Sequence, residues 1–570
     1  MRKNAVAVLG ITLAILATAV CATAAQNPPS NPPQTATAPY VETFDVEIHN
    51  IDVVVTDRAG KPVSGLTKED FEVFEDRVLQ PITNFSEYRN ERGVMSAASD
   101  TSSPAADNSP VDAQSRKFVF VIDEMALHPQ TREKMREELG TFLRTMMRNG
   151  DEAMIVQPDA KDTQIRLRFT NDESAVLAAL DEIIEESRMR ADSARMREYI
   201  EGNVDLDMEG IDTVRRGVNQ AYSLRIARRV QKTLAHLSSI VNAMAEVPGK
   251  KSIIMMTESL PAVAGRDLFP LAFGGFESGD CSGFRPDCGV VDLRPIIRDI
   301  AEEASSNGIT IYAMQPEYSF GISAPGPSAD ARPRLASQQN LRTQRYFSRT
   351  VEDTQESLEI LTERTGGAWK RGHAHVDNLL AIVEADHAAY YSIGYRPASA
   401  VENKTRHISV KVKGRNDLRV RTRRDVIRKS PAEEMNDLVV ASLMYPKEVD
   451  ELSIEATAGE PEAKRGREYL VPVEVQIPIS SLTLLPDGQK YRGSFTVHYA
   501  AATEQGDFSA GVSREQIVEI PASDIDAART RAWTHTAQLR VPKGKVSIAV
   551  GVLDPISRLS SFKTLDVVTQ

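Results

Sequence analysis

Short, unbroken apolar runs alternate with stretches of helical period through the middle of this chain, and no other feature limits its fold so strongly. Lys117–Ile122 (KFVFVI), Lys251–Met256 (KSIIMM) and Ile309–Met314 (ITIYAM) lack polar alternation beyond their first residues. Such runs belong to strands covered on both faces. Between them the period is helical. Pro129–Arg148 aligns Met135, Leu139, Phe142, Leu143 and Met146, and stops at Asn149-Gly150. Thr170-Asn171-Asp172 caps a helix that turns Val176, Leu177, Leu180, Ile183 and Ile184 inward. Leu224–Ala245 carries Val230, Leu234, Leu237, Val241 and Met244 on one stripe, and Ile296, Ile297 and Ile300 mark another helix. Helices at Glu356–Thr365 and Asp377–Ala385, strands at Ala153–Val156 and Ile165–Phe169, and a closing strand at Ala389–Gly394 complete the set. Strands separated by helices predict a doubly wound, mostly parallel α/β (Rossmann-like) sheet with both faces covered.

The flanks change period. Glu42–Ile48 and Ile51–Thr56 alternate, Asp57–Pro62 is turn chemistry, Phe71–Phe74 is short and apolar, and Ile82–Tyr88 closes the region. After Ser430 come Tyr469–Ile477, Tyr491–Ala500, Ser513–Ile520, His535–Val541 and Val546–Leu553, spaced by turns as in a β-sandwich. The expected organisation of the 570 residues is therefore several domains. Residues 1–25 form a signal peptide, 26–39 a Pro-rich linker, 40–90 an N-terminal β module and 91–115 a second linker. Residues 116–397 form the α/β domain, with a helical insertion near 187–222 and a disulfide loop near 260–290. Residues 398–429 form a hairpin extension and 430–570 a C-terminal sandwich. The strands Arg406–Val412 and Leu418–Thr422 of that extension complete either the sheet or the N-terminal module.

Arg2 and Lys3 precede an uncharged run, Ala5–Ala25, that ends in Ala22-Thr23-Ala24. That is the pattern of a secretory leader cut after Ala24 or Ala25, with an uncleaved anchor as the alternative. Cys21 fits a lipoprotein signal poorly, because Val20 stands where a small residue is usual. An exported chain is expected in the periplasm, the cell envelope or outside the cell, with no transmembrane segment once the leader is gone. Cys281 and Cys288, close together in a Gly/Pro/Asp-rich loop, then read as one disulfide rather than half a zinc site. A net charge of −12 argues against nucleic acid as a partner.

The central pattern resembles a von Willebrand factor type A domain over roughly Arg116–Pro397. A narrower resemblance is to exported VWFA-related proteins common in acidobacteria. Its carriers are VVVTDRAGKPVSGLTKEDFEVFED (Val53–Asp76), Thr365-Gly366-Gly367 and Tyr390–Pro397 (YYSIGYRP). The resemblance implies a metal-ion-dependent adhesion site whose D-x-S-x-S loop gives a carboxylate and two hydroxyls to Mg²⁺. Here that loop reads Asp123-Glu124-Met125-Ala126-Leu127, so two oxygen ligands are missing, and the later Thr-Asp-Gly reads Thr257-Glu258-Ser259. Thr213 is a guess for the distant threonine. Thioether and hydrocarbon groups cannot hold a hard cation, so the expectation is a degenerate site and no cofactor. The alternative is Mg²⁺ or Ca²⁺ held by Asp123, Glu124, Glu258 and water.

His373, His375 and His387 read as surface histidines rather than ligands. The mixed charges of 188–229 read as a solvated face. No G-x-S-x-G, H-E-x-x-H or P-loop pattern is present, and no S-x-x-K with its accompanying motifs. The expected role is non-catalytic binding of a protein or cell-envelope partner through loops bearing Asp123, Met125, Leu127, Glu258 and Ser259. A metal-dependent adhesin and a hydrolase with an unrecognised site are the alternatives.

Overall fold

The computed structural model describes residues 48–91, 94–99, 115–123, 129–147, 150–158, 163–189, 212–257, 259–266, 290–315, 353–371, 376–397, 401–445, 449–464, 468–504, 509 and 511–569. The leader, the first linker, most of the second, Glu124–Leu127, Glu258, His373, His375, most of the helical insertion and the loop of Cys281 and Cys288 lie outside them.

The apolar runs form one six-stranded sheet. Its order is Trp369–Arg371, Ile309–Gln315, Lys250–Met256, Arg116–Ile122, Glu152–Pro158, Thr163–Thr170. The first five are parallel and the last is antiparallel. Strand alternation divides their side chains between two cores. Phe118, Phe120 and Ile122 pack with Leu139, Phe142 and Leu143 of the helix Pro129–Met146, and with Leu180 and Ile183 of Glu173–Met189. Val119, Val121, Ile253 and Met255 pack with Val230, Leu234 and Leu237 of Asp212–Ala243, and with Ile297 and Ile300 of Arg294–Ser306. Burial on both faces is why these runs carry no polar alternation.

The fold class expected from the sequence, a doubly wound von Willebrand factor type A-like core with sandwich modules flanking it, is overturned. Among the described residues strand outweighs helix, and most of the sheets are antiparallel. Every described strand pairing outside the six-stranded sheet is antiparallel. The decisive element is the tyrosine-rich strand. It does not close the parallel sheet. Ala389–Tyr395 lies between His49–Thr56 and Ile82–Glu91, antiparallel to both, in a sheet that also holds Arg419–Thr422 and Val94–Ser99.

The reason is visible in its alternation. Tyr391, Ile393 and Tyr395 enter a core with Ile51, Val53, Phe71, Val73, Ile408 and Val410. The facing sheet has the order Asp425–Ile427, Thr405–Val412, Phe71–Glu75, Val78–Gln80. Thr405–Val412 and Arg419–Thr422 thus enter different sheets, and both complete the N-terminal module. The two most specific stretches of the sequence resemblance are hydrogen-bonded neighbours, with Val53 opposite Tyr391 and Ile51 opposite Ile393.

A second sandwich holds the C-terminal quarter. Its larger sheet contains Lys490–Thr503, Gly544–Leu553, Ser560–Thr569 and Val512–Pro521, and its smaller sheet is centred on Glu468–Pro478 and Ala532–Pro542. The helix Pro431–Met444 seats Met435 and Val439 against Ala500 and Ala549 and belongs to the same core as Asp212–Ala243. No described helix is long and apolar enough to cross a membrane.

Thr365-Gly366-Gly367 joins the parallel sheet to the N-terminal sandwich. Thr365 ends a helix over residues 353–365, and its Oγ1 accepts from the Ile311 amide at 3.0 Å. Gly366 has φ +79°, and a Cβ there would sit 2.6 Å from the Thr422 carbonyl carbon. A Cβ on Gly367 would sit 1.9 Å from the Ile311 carbonyl oxygen, which belongs to a central parallel strand. Neither neighbour is a flexible side chain. Gly367→Ala is expected to cost about 3 kcal/mol by overpacking, read as a lowered urea midpoint with an unchanged m-value.

Candidate functional site

The carboxyl ends of the parallel strands are where an open sheet with crossover helices presents groups to a ligand. Asp123 follows Arg116–Ile122, and Thr257 follows the neighbouring Lys250–Met256. Their backbones continue the ladder: the Asp123 amide donates to Met256 O at 3.0 Å, and the Thr257 amide to Met314 O at 3.1 Å. This fixes the two side chains beside each other. Thr257 Oγ1 donates to Asp123 Oδ2 at 3.0 Å and accepts from the Ser259 amide at 3.3 Å. Asp123 is 5% exposed and Thr257 fully buried. Arg229 Nη2, from the helix Asp212–Ala243, donates to Ser259 Oγ at 3.1 Å. The Leu260 amide donates to Thr354 Oγ1 at 3.1 Å, which ties the loop to the helix over residues 353–365. One carboxylate, three hydroxyls and a guanidinium thus meet at one sheet edge.

Of the residues expected here, Asp123 and Ser259 are described. Glu124, Met125, Leu127 and Glu258 lie outside the described residues, and Thr213 lies in the first turn of Asp212–Ala243. Arg229 and Thr354 escaped the sequence reading. Arg229 is one cation in a mixed-charge helix, and Thr354 is nearly a hundred residues from its partner in the chain. Neither leaves a local pattern. Among the described residues, no three His, Cys, Asp or Glu side chains converge as a metal-holding group.

His387 corrects the surface-histidine expectation. It is 1% exposed, lies edge-on to Phe118, and its Nε2 is 2.9 Å from the Oγ of fully buried Ser252. A serine–histidine pair of this length has the spacing of a nucleophile and its base. Here both members of the pair are buried. The neighbouring Asp386 carboxylate serves other partners: Tyr312 Oη donates to it at 2.9 Å, and Arg421 grips it with both Nη atoms.

No protein-family model matches the chain, and no curated protein matches it. One solved structure with partial similarity is the Northeast Structural Genomics Consortium target SoR45. It is 15% identical, with a TM-score of 0.15, over 20% of this chain and 87% of that one. Another is the N-terminal domain of TFIIH p34, 11% identical with a TM-score of 0.16, over 48% of this chain and 97% of that one. Likenesses of this size carry no argument about fold or function.

The opposite, amino-terminal edge of the sheet is also charged. Lys250 Nζ sits 3.6 Å above the Tyr390 ring, 3.5 Å from Asp52 Oδ2, and donates to Asp386 O at 3.3 Å. Lys251, on the other face, donates from Nζ to Ala245 O at 2.5 Å. Burial lowers the pKa of both lysines, that of Lys251 to about 8. Burial likewise raises Tyr312 well above the ordinary phenol value and Tyr391 to about 12.

Two outcomes follow for this edge. Asp386→Ala leaves Arg421 and Tyr312 without their acceptor and is expected to cost about 3 kcal/mol, whereas Asp386→Leu with Arg421→Met restores more than half of that loss in urea unfolding. Between about pH 8 and 10.5 the unfolded chain holds the Lys251 proton and the folded chain has released it. Lys251 therefore makes stability rise with pH across that window, by on the order of 3 kcal/mol in full. Above pH 10 the buried tyrosines stay protonated only in the folded state and act in the opposite sense, so stability falls as pH rises further. Unfolding of wild type and Lys251→Met at pH 7.5 and 9.5 isolates the lysine: the rise should be smaller in the variant.

Proposed function

We propose that this chain is a non-catalytic binding protein of the exported VWFA-related group that its Val53–Asp76 and Tyr390–Pro397 stretches resemble. It engages a protein or cell-envelope partner through the loops at the carboxyl ends of the parallel strands. The observation that carries the reading is the Asp123–Thr257 hydrogen bond. That bond gives one oxygen of the buried carboxylate a donor from the protein itself, which supports a metal-free edge. The loop that follows it offers Met125 and Leu127 where a hard metal needs oxygen. Ser259 and Arg229 then supply polar groups at the same edge, and a guanidinium suits acidic or carbonyl-bearing partners. The buried Ser252–His387 pair supports binding over hydrolysis.

A metal-dependent reading draws on the same convergence of Asp123 with two hydroxyls, with Glu258 as a second acid. The two separate cleanly. Labelled full-length chain should bind isolated envelopes of its host equally with and without a chelator, and Arg229→Ala with Ser259→Ala should weaken that binding. Mg²⁺ and Ca²⁺ should give flat calorimetric traces and no shift in Tm. Chelator-sensitive binding, together with metal stabilisation lost in Asp123→Ala, would establish the metal-dependent alternative instead.

A further inference from the structure

Between the strands His49–Thr56 and Arg419–Thr422 and the amino ends of the parallel strands lies a cavity of about 240 Å³. Its walls include Lys250, Lys251, Arg421 and Arg423, and Asp52 is the one acid among them. Arg421 is matched by Asp386 behind it, and Lys250 stands 3.5 Å from Asp52. Arg423 is different. Nη2 donates to Asn50 O at 2.6 Å and Nη1 to Ser306 O at 3.4 Å, and no described carboxylate lies within 4.0 Å of it. Two neutral carbonyls orient the guanidinium and leave some of its five N–H groups unspent, while Asp52 acts on its charge only through space.

Asn307, on the turn after Arg294–Ser306, also lines the cavity, and its buried Oδ1 has no hydrogen-bond partner. Turned over about its last bond, the same amide offers two donors to the same space. Burial pulls the affinity of both Lys250 and Arg423 for their protons below the usual values, against the opposing pull of Asp52.

We propose that this cavity is a binding site for a small oxyanion, held by Arg423, Lys250 and Asn307, with Asp52 as the internal competitor for the same cations. It is separate from the carboxyl-edge loops proposed for the partner. With Lys251 left out because its ammonium turns to the other face, the described lining offers three cations, Lys250, Arg421 and Arg423, against Asp52, with Asp386 behind Arg421. A polyatomic anion of phosphate size, with some of its waters, fits the volume.

Titration of the full-length chain with inorganic phosphate, sulfate and acetate, each against chloride at equal ionic strength, tests the assignment. The expected result is saturable heat and a rise in Tm with at least one of the three, and the ranking identifies phosphate-like or carboxylate-like chemistry. Arg423→Gln should weaken binding about tenfold or more, the loss of a charge-assisted hydrogen bond. Asp52→Asn removes the competitor and should tighten it. Absence of any anion-specific effect in the wild type overturns the proposal, and so does unchanged affinity in Arg423→Gln. Should that variant fail to fold, unchanged or weaker affinity in Asp52→Asn overturns it equally.

Discussion

The structure depends on a strand insertion. Ala389–Tyr395 completes a sheet whose other central members, His49–Thr56 and Ile82–Glu91, lie some three hundred residues earlier. Without it Tyr391, Ile393 and Tyr395 have no core and the N-terminal strands have no common neighbour. The insertion also brings Tyr390 under Lys250 and, through the helix Val376–Ala388 just before it, Asp386 onto Arg421 and Tyr312. The parallel sheet and the sandwich are thus joined by packing, by a buried ion pair and by the two glycines that let their backbones touch.

Burial explains how much of this was legible in the sequence. Lys117–Ile122, Lys251–Met256 and Ile309–Met314 read as doubly covered strands because each carries apolar groups to two cores. The helix stripes at Leu139, Phe142 and Leu143 and at Val230, Leu234 and Leu237 were equally plain. Partner choice was not. Ala389–Tyr395 follows a helix as the parallel strands do, and nothing in YYSIGY states whether the next strand is parallel or antiparallel, near or far in the chain. The fold class failed on that point. Ser430-Pro431 with Glu433 and Glu434 is a readable helix start, and Ser430 Oγ does accept from the Glu433 amide. That helix escaped because the surrounding period of two dominated the reading.

The polar edges were legible only as single residues. Asp123 and Thr257 each end an apolar run, so each was visible. Their contact depends on adjacent strands ending level, which is a property of register. His387 was grouped with His373 and His375 as a surface histidine, yet its ring lies edge-on to Phe118 and against Ser252. A histidine on the last turn of a helix is buried or not according to what the following strand joins. Arg423 stands just past the expected strand Leu418–Thr422, and nothing in the sequence marks the cavity beside it.

The interleaving of early and late segments has a consequence for how the chain is made. The N-terminal strands emerge first, but their partner strands, including Thr405–Val412, come after the whole central sheet. At typical synthesis rates that interval is on the order of twenty to sixty seconds. Through it, unpaired strand edges and the apolar face of Ile51, Val53, Phe71 and Val73 must stay out of aggregates. A chain arranged in this way gains from being kept unfolded by a holdase until its last strands arrive.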